Sequence, residues 1–348
     1  MMKTAIFLGA GASSEDGAPL QSEIFNKYFG GLRRAGLSQE DDEERALIKY
    51  FQRMFGIDVA ACDSHTLFPT FEEAIGVLDL AVMRDEAYKE FTNHEIRSLR
   101  HYIIKLMTRV ISDQLDKPQE HHKQLVQNLI RCDKLGETII VSTNYDILID
   151  NALALHSQEF GLDYGIDFAN VPERSTDRYC SQPDTEHSIK LYKFHGSLNW
   201  LYCPTCNTIE LTPFQDAAIY PANCHLCGSQ FSTLIVPPTY FKSLTNVYLG
   251  MVWVKAELAL REVRHLIFCG YSFPDVDMHI KYLIKRIQSY RRHDLFITVI
   301  NNYDGKTDES RKEEKNRFRR FLGMDVDYTD LCFGEFAADP LKYWEIGQ

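Results

Sequence analysis

Five short stretches of this chain hold residues whose types and spacing could do chemistry. Ser142-Thr143-Asn144-Tyr145-Asp146 places an amide and a carboxylate two positions apart. His195-Gly196-Ser197 offers an imidazole, the side chain whose ordinary pKa lets it take or give a proton near neutral pH. Gly9-Ala10-Gly11-Ala12-Ser13 is a glycine turn ending in a hydroxyl. Glycine lets backbone turn tightly and approach a pyrophosphate, whose charge is then met by N–H groups at the start of a helix. The dinucleotide fingerprint is incomplete, since Ser14 stands where its third glycine would be. Finally, Cys203-Pro204-Thr205-Cys206 and Cys224-His225-Leu226-Cys227 are two C-x-x-C pairs separated by 17 residues. That spacing fits a closed, tetrahedral zinc ribbon of four cysteines in which Zn2+ is structural, and His225 is not needed as a ligand.

The elements that must position these residues are legible as alternation. Short apolar, partly β-branched runs occur at 4–8, 138–141, 189–194, 266–268 and 295–300, the pattern of parallel strands buried on both faces. Helical spacing separates several of them, at 147–155, 252–260 and 278–287. The expected fold is α/β, a Rossmann-like doubly wound parallel sheet with a helical insertion and the small zinc ribbon. Residues 1–31, 135–202 and 231–304 would make the sheet domain, 32–134 the helical insertion, 203–230 the ribbon, and 305–348 a terminal helix and tail. A helix is expected near Pro19, because proline suits a first helical turn. In such a sheet, ligands bind outside the carboxyl ends of the strands. Each strand here is followed by small or polar residues: Gly9–Ser13, Ser142–Asp146, His195–Ser197, Gly270-Tyr271-Ser272 and Asn301-Asn302. Five strands delivering such groups to one edge is the signature of a site.

Composition excludes several classes. A formal charge of −11 disfavours direct nucleic-acid binding, which needs a surplus of Lys and Arg, local patches such as Arg291-Arg292 notwithstanding. No apolar run approaches the roughly 20 residues needed to span a bilayer. Lys3 followed by Ala5–Ala12 looks like a short export signal, but its glycines serve the turn better. Beyond the two cysteine pairs, Cys62, Cys132, Cys180, Cys269 and Cys332 are scattered and odd in number, a poor disulfide framework. A cytoplasmic, soluble protein without membrane partners is expected.

Taken in order, the glycine turn, Thr143-Asn144-Tyr145-Asp146, His195-Gly196, the four cysteines, Gly270-Tyr271-Ser272 and Asn301 resemble the sirtuin superfamily. The resemblance implies NAD+ as substrate, with Gly9, Ala10, Gly11 and Ser13 on its phosphates. It implies that Asn144 and Asp146 face the nicotinamide ribose, that His195 is the base, and that Thr143, Gly270, Ser272 and Asn301 complete the NAD+ site. The departures are informative. Gly17-Ala18-Pro19-Leu20 replaces the Gly-Ile-Pro-Asp-Phe-Arg run of deacylases, and Thr143 stands where they carry glutamine. Val236-Pro237-Pro238-Thr239-Tyr240-Phe241-Lys242-Ser243 replaces the Phe-Gly-Glu segment that clasps an acyl-lysine peptide. Keeping the NAD+ residues while losing the peptide-grasping ones resembles the divergent NADases of bacterial antiphage defence. That likeness implies a homo-oligomer and a separate sensor partner, ATPase or Argonaute-like.

The implied reaction breaks the nicotinamide–ribose bond, giving ADP-ribose and nicotinamide. Nicotinamide leaves neutral from a pyridinium and needs little protonation, so the protein must instead stabilise an oxocarbenium-like ribose and admit water. Asn144 could orient the ribose or the water, Asp146 could anchor the carboxamide, and His195 could take a proton. Either Asn144 or Asp146 could equally cap the following helix. Two alternatives remain at this level: an NAD+-dependent lysine deacylase, and a non-catalytic module sensing NAD+ or ADP-ribose.

Overall fold

The computed structural model describes residues 3–35, 41–63, 65–113, 119–156, 159–170, 188–212, 223–237, 246–275, 277–291, 293–323 and 326–344. Cys180, Arg292 and the segment from Pro238 to Ser243 lie outside them. The chain divides into two compact units, one of residues 1–18, 115–235 and 244–348, the other of 19–114 and 236–243.

The first unit is built on strand β1 (Lys3–Leu8), buried from Thr4 onward because a parallel strand lies on each side. These neighbours are β2 (Thr138–Ser142) and β8 (Val263–Cys269). Beyond β2 come β4 (Ser188–Lys193) and the short edge strand β3 (Gly161–Asp163); beyond β8 come β9 (Phe296–Asn301) and β10 (Asp327–Asp330), all parallel. With the edge strand β3 set aside, the others run in the 3-2-1-4-5-6 order of a dinucleotide-binding sheet. Its switch point falls between β1 and β8. Phe7 fixes the middle of the core, its ring 4.8 Å from that of Phe268 and 6.0 Å from that of Phe194.

The helices of this unit are α1 (Ala10–Glu15), α6 (His121–Arg131), α7 (Leu148–Ala154), α8 (Val247–Leu260), α9 (Met278–Tyr290), α10 (Asp308–Leu322) and α11 (Phe333–Ala338). All five strands expected from the sequence are present, each lengthened or trimmed by a few residues. Two expectations need correction. The first helix begins inside the glycine turn, at Ala10, because the turn closes at once: the Ala12 N–H donates to the Gly9 carbonyl at 3.0 Å. The helix expected near Pro19 also forms, as a 3-10 turn at Gln21–Glu23 that runs into an α-helix from Ile24. The tail also holds a strand, β10, whose Asp-Tyr-Thr-Asp sequence carries too few apolar residues to announce it.

A small antiparallel sheet carries the cysteines. Its central strand β5 (Gly196–Tyr202) lies between β6 (Ile209–Leu211) and β7 (Ser232–Ile235). The second unit is helical: α2 (Ile24–Ala35), α3 (Asp42–Phe55), α4 (Phe71–Arg84) and α5 (Asn93–Ser112). Thr70 with Glu73, and Thr92 with Glu95, form capping boxes that start α4 and α5. An aromatic cluster fills the unit, with Phe25 packed on Phe51 and Phe71, and Phe29 stacked on Phe68. Among the described residues no helix is long and apolar enough to cross a membrane.

Candidate active site and cysteine centre

The carboxyl ends of β1, β2 and β4 converge. Asn144, just past β2, donates through Nδ2 to the Gly9 carbonyl at 2.9 Å and to Ser13 Oγ at 2.8 Å. Its own N–H is held by Ser142 Oγ at 3.1 Å. Thr143 gives its N–H to the Leu8 carbonyl at 3.1 Å, and its hydroxyl bonds the same oxygen at 3.3 Å. His195, two residues past β4, places Nδ1 3.0 Å from the Thr143 carbonyl. A carbonyl only accepts, so Nδ1 carries the hydrogen and Nε2 is the basic nitrogen of the neutral ring. One bonded chain therefore joins the glycine turn, the amide and the imidazole, with Asn144, Ser13 and His195 all buried.

The glycines have a second use that their sequence does not disclose. Gly9 and Gly11 donate to the carbonyls of Cys269 (3.0 Å) and Gly270 (2.9 Å), stitching the turn after β1 to the turn after β8. A Cβ on Gly9 would lie 2.5 Å from the Gly270 oxygen, and one on Gly270, whose φ is +64°, would lie 2.1 Å from the Ala12 nitrogen. Asn301 holds the same loop from β9, donating to the Tyr271 carbonyl at 3.1 Å, with Glu314 as a second acceptor. The Tyr271 hydroxyl bonds Asp277 at 2.8 Å, which makes it a wall of the loop rather than an open donor. Ala10 and Ser272 are exposed and lie outside this bonded set. Asp146 accepts the Leu148 N–H at 3.1 Å in a turn just ahead of α7, whose N-cap position is Ile147 and has no side-chain cap bond.

Sequence reasoning misses the support beneath the site. Lys193, the last residue of β4, is fully buried and bonds both the Asp146 carbonyl and Asp150 Oδ2, the latter at 2.9 Å. Tyr164 donates to the other oxygen of Asp150 at 2.6 Å. A buried ammonium thus ties the Asn144–Asp146 loop to α7. At the far end of α1, Glu15 accepts the N–H groups of Phe333 and Gly334 (2.5 and 2.8 Å), while Asp16 accepts those of Glu120, His121 and His122 at 2.9–3.0 Å. Two successive carboxylates so cap α11 and α6. Burial alone would raise the Asp16 pKa, but the His122 ring 2.5 Å away and these amides outweigh it and hold the carboxyl well below its usual range. The signal for both features is a pair of adjacent acids and a lysine amid apolar residues, which read equally as surface.

The four cysteines meet as the sequence requires. Their sulfurs all lie within 4.8 Å of one another, with Cys203–Cys227 at 3.5 Å and Cys206–Cys224 at 3.6 Å. Bonds of about 2.3 Å from one tetrahedral zinc would place sulfurs about 3.8 Å apart, so the cluster fits a metal and not a disulfide. Each knuckle turns through a left-handed residue just after its second cysteine, Asn207 (φ +57°) and Gly228 (φ +75°). His225 is paired with Glu210, outside the cluster.

A family model described as a SIR2-like domain matches residues 138–322, more than half of the chain. The chain belongs to the SIR2-like family. Among solved structures, this SIR2-like chain is similar to a mutant Sir2 homologue in complex with ADP-ribose, at 14% identity and a TM-score of 0.43, covering 98% of this chain and 92% of that one. It is also similar to a Sir2 homolog–NAD complex, at 16% identity and a TM-score of 0.44, covering 98% of this chain and 89% of that one. A search of curated proteins by sequence gives no match.

Proposed function

We propose that this chain is an NAD+ glycohydrolase, in which Asn144 and His195 act on the nicotinamide–ribose bond. The observation that carries the reading is the bonded chain from the glycine turn through Asn144 to His195, at the carboxyl edge of a sheet in dinucleotide order. The ordered motifs and their likeness to sirtuins support NAD+ as that dinucleotide. With Nδ1 committed to the Thr143 carbonyl, His195 is proposed to accept through Nε2 a proton from a ribose hydroxyl or from the attacking water. Asn144, fixed by two donated bonds, presents its amide oxygen in one orientation, as ordering a ribose or a water requires. Asp146, held by the Leu148 N–H, is proposed to face the carboxamide. Gly9, Ala10, Gly11, Ser13, Thr143, Gly270, Ser272 and Asn301 are proposed to line the remainder of the dinucleotide. The cysteine centre is proposed to be structural, since four thiolates close the coordination shell.

The loss of the peptide-clasping sequence favours hydrolysis over deacylation, and the same feature underlies a proposed role in depleting NAD+ during antiphage defence beside a separate sensor. The test is product analysis of NAD+ incubated with the purified chain, as isolated and in each assembled state. The expected result is ADP-ribose and nicotinamide without any acylated peptide, and neither product from His195→Ala. Nicotinamide release strictly dependent on an acyl-lysine peptide would assign deacylation instead. NAD+ binding without turnover in every state would leave a sensing module.

A further inference from the structure

Two neighbouring helices carry large apolar side chains that stay substantially exposed. On α8 these are Val247, Met251, Val254 and Leu258, spaced four, three and four apart on a single helical stripe; on α9 they are Met278, Tyr282 and Tyr290. Each keeps between 39% and 61% of its surface exposed. The opposite stripe of α8, with Leu249, Val252, Ala256 and Leu260, is already buried in the core. A helix apolar on all sides is ordinarily covered on all sides. Exposed acidic residues are missing from the two helices. Among the exposed positions of the two helices only Lys255 is charged. Arg286 turns aside to Glu257 at 2.8 Å, which also takes Arg261, and the two guanidinium groups lie over the rings of Tyr282 and Tyr290.

We propose that this α8–α9 face joins two copies of the chain about a twofold axis. Seven such side chains offer on the order of 700 Å² of apolar surface, close to the ~800 Å² that each partner of a stable complex buries. Single patches on monomers usually reach only about 300–600 Å². Charge selects the occupant. A chain of formal charge −11 repels its own copy over most of its surface, and this face, whose helices expose no acid, is where that repulsion is weakest. A twofold lays the stripe on itself, so that apolar meets apolar without a second complementary surface. The inference stands apart from the enzymatic reading, because it uses none of that site's residues.

The experiment is sedimentation velocity of the full chain across the micromolar range, for the wild type and for Val254→Glu combined with Leu258→Glu. The wild type is expected to sediment as a dimer or a multiple of dimers. The double variant should dissociate at concentrations at least ~100-fold higher, because two carboxylates would have to be buried without partners. Val254→Ser with Leu258→Ser serves if the glutamates impair folding, as judged by the far-ultraviolet spectrum and thermal melt. Leu67→Glu, at another exposed leucine, should leave assembly unchanged. A wild type that stays monomeric throughout overturns the proposal, and so do folded variants that assemble as tightly as the wild type.

Discussion

At the scale of single residues, the site works through donors that are already committed. Asn144 gives both its bonds through Nδ2, to a carbonyl and to a hydroxyl. Asn144→Asp keeps the shape but puts an oxygen against the Gly9 carbonyl, so it should cost about 1–3 kcal/mol of stability. It should also lower NAD+ turnover at least ~100-fold, in kcat rather than KM, since the lost order concerns the reacting sugar. Urea unfolding and initial rates check both; an unchanged kcat would remove Asn144 from the chemistry. Lys193 makes a different prediction. Lys193→Met leaves Asp150 buried without its counter-charge, at a cost of about 3–5 kcal/mol, whereas adding Asp150→Leu should recover a large part of it. A double-mutant cycle of urea midpoints measures that coupling, and simple additivity would show that the pair does not act as a unit. The contrast explains what can be read in advance. Asn144 and His195 stand out in sequence because polar residues interrupt apolar strands at their ends. Lys193 and Asp150 do not, because only the packing of β4 on α7 decides that this lysine is inside.

At the scale of elements, β5 is the link between the two centres. It starts at Gly196, directly after His195, and its seven residues lead to Cys203, a span of about 24 Å at ~3.4 Å per residue. Gly196 has φ +80°, and a Cβ there would lie 2.0 Å from the Leu234 carbonyl, so β5 and β7 can meet only over glycine. Stripping the metal should therefore loosen β5–β7 and, through them, the setting of His195. Chelation followed by gel filtration is expected to abolish turnover, with zinc restoring it. Full activity of a metal-free chain, verified by elemental analysis, would disconnect ribbon from site. Elsewhere in the sheet, His265 on β8 bonds Thr298 on β9 at 2.8 Å, and burial depresses its pKa to about 4. The unfolded chain holds that proton below about pH 6.5. The contribution of His265 to stability is thus whole above about pH 6.5 and declines as pH falls toward 4, by about 3 kcal/mol in all. His265→Gln should flatten this part of the profile in urea melts between neutral and mildly acid pH; an unchanged slope would place the loss elsewhere. The strands themselves are readable because a strand buried on both faces is a continuous apolar run. β3 and β10 are not, being short edge strands with one side open to polar residues.

At the scale of the whole molecule, the proposed assembly face and the proposed active site share a helix. The outer stripe of α8 is the proposed contact between copies. Its inner side carries Trp253, whose ring stacks on Phe194 at 4.3 Å and whose Nε1 donates to the Phe194 carbonyl at 3.1 Å. The next residue is His195. A partner packed on α8 would steady the helix against which the strand end bearing His195 rests, without touching the proposed reacting atoms. Catalysis that depends on such ordering becomes concentration-dependent by mass action, because only the assembled form has the helix held on both sides. NAD+ turnover per chain should therefore rise with protein concentration and level off where sedimentation shows assembly complete. Val254→Glu with Leu258→Glu should keep the low, dilute rate at every concentration. Trp253→Phe, which preserves the stacking but loses the Nε1 bond, should weaken this dependence while leaving the assembly curve in place. A rate per chain that is flat across the dissociation range would separate the two halves of the argument: the face would still join copies, but α8 would not carry their effect inward to the histidine.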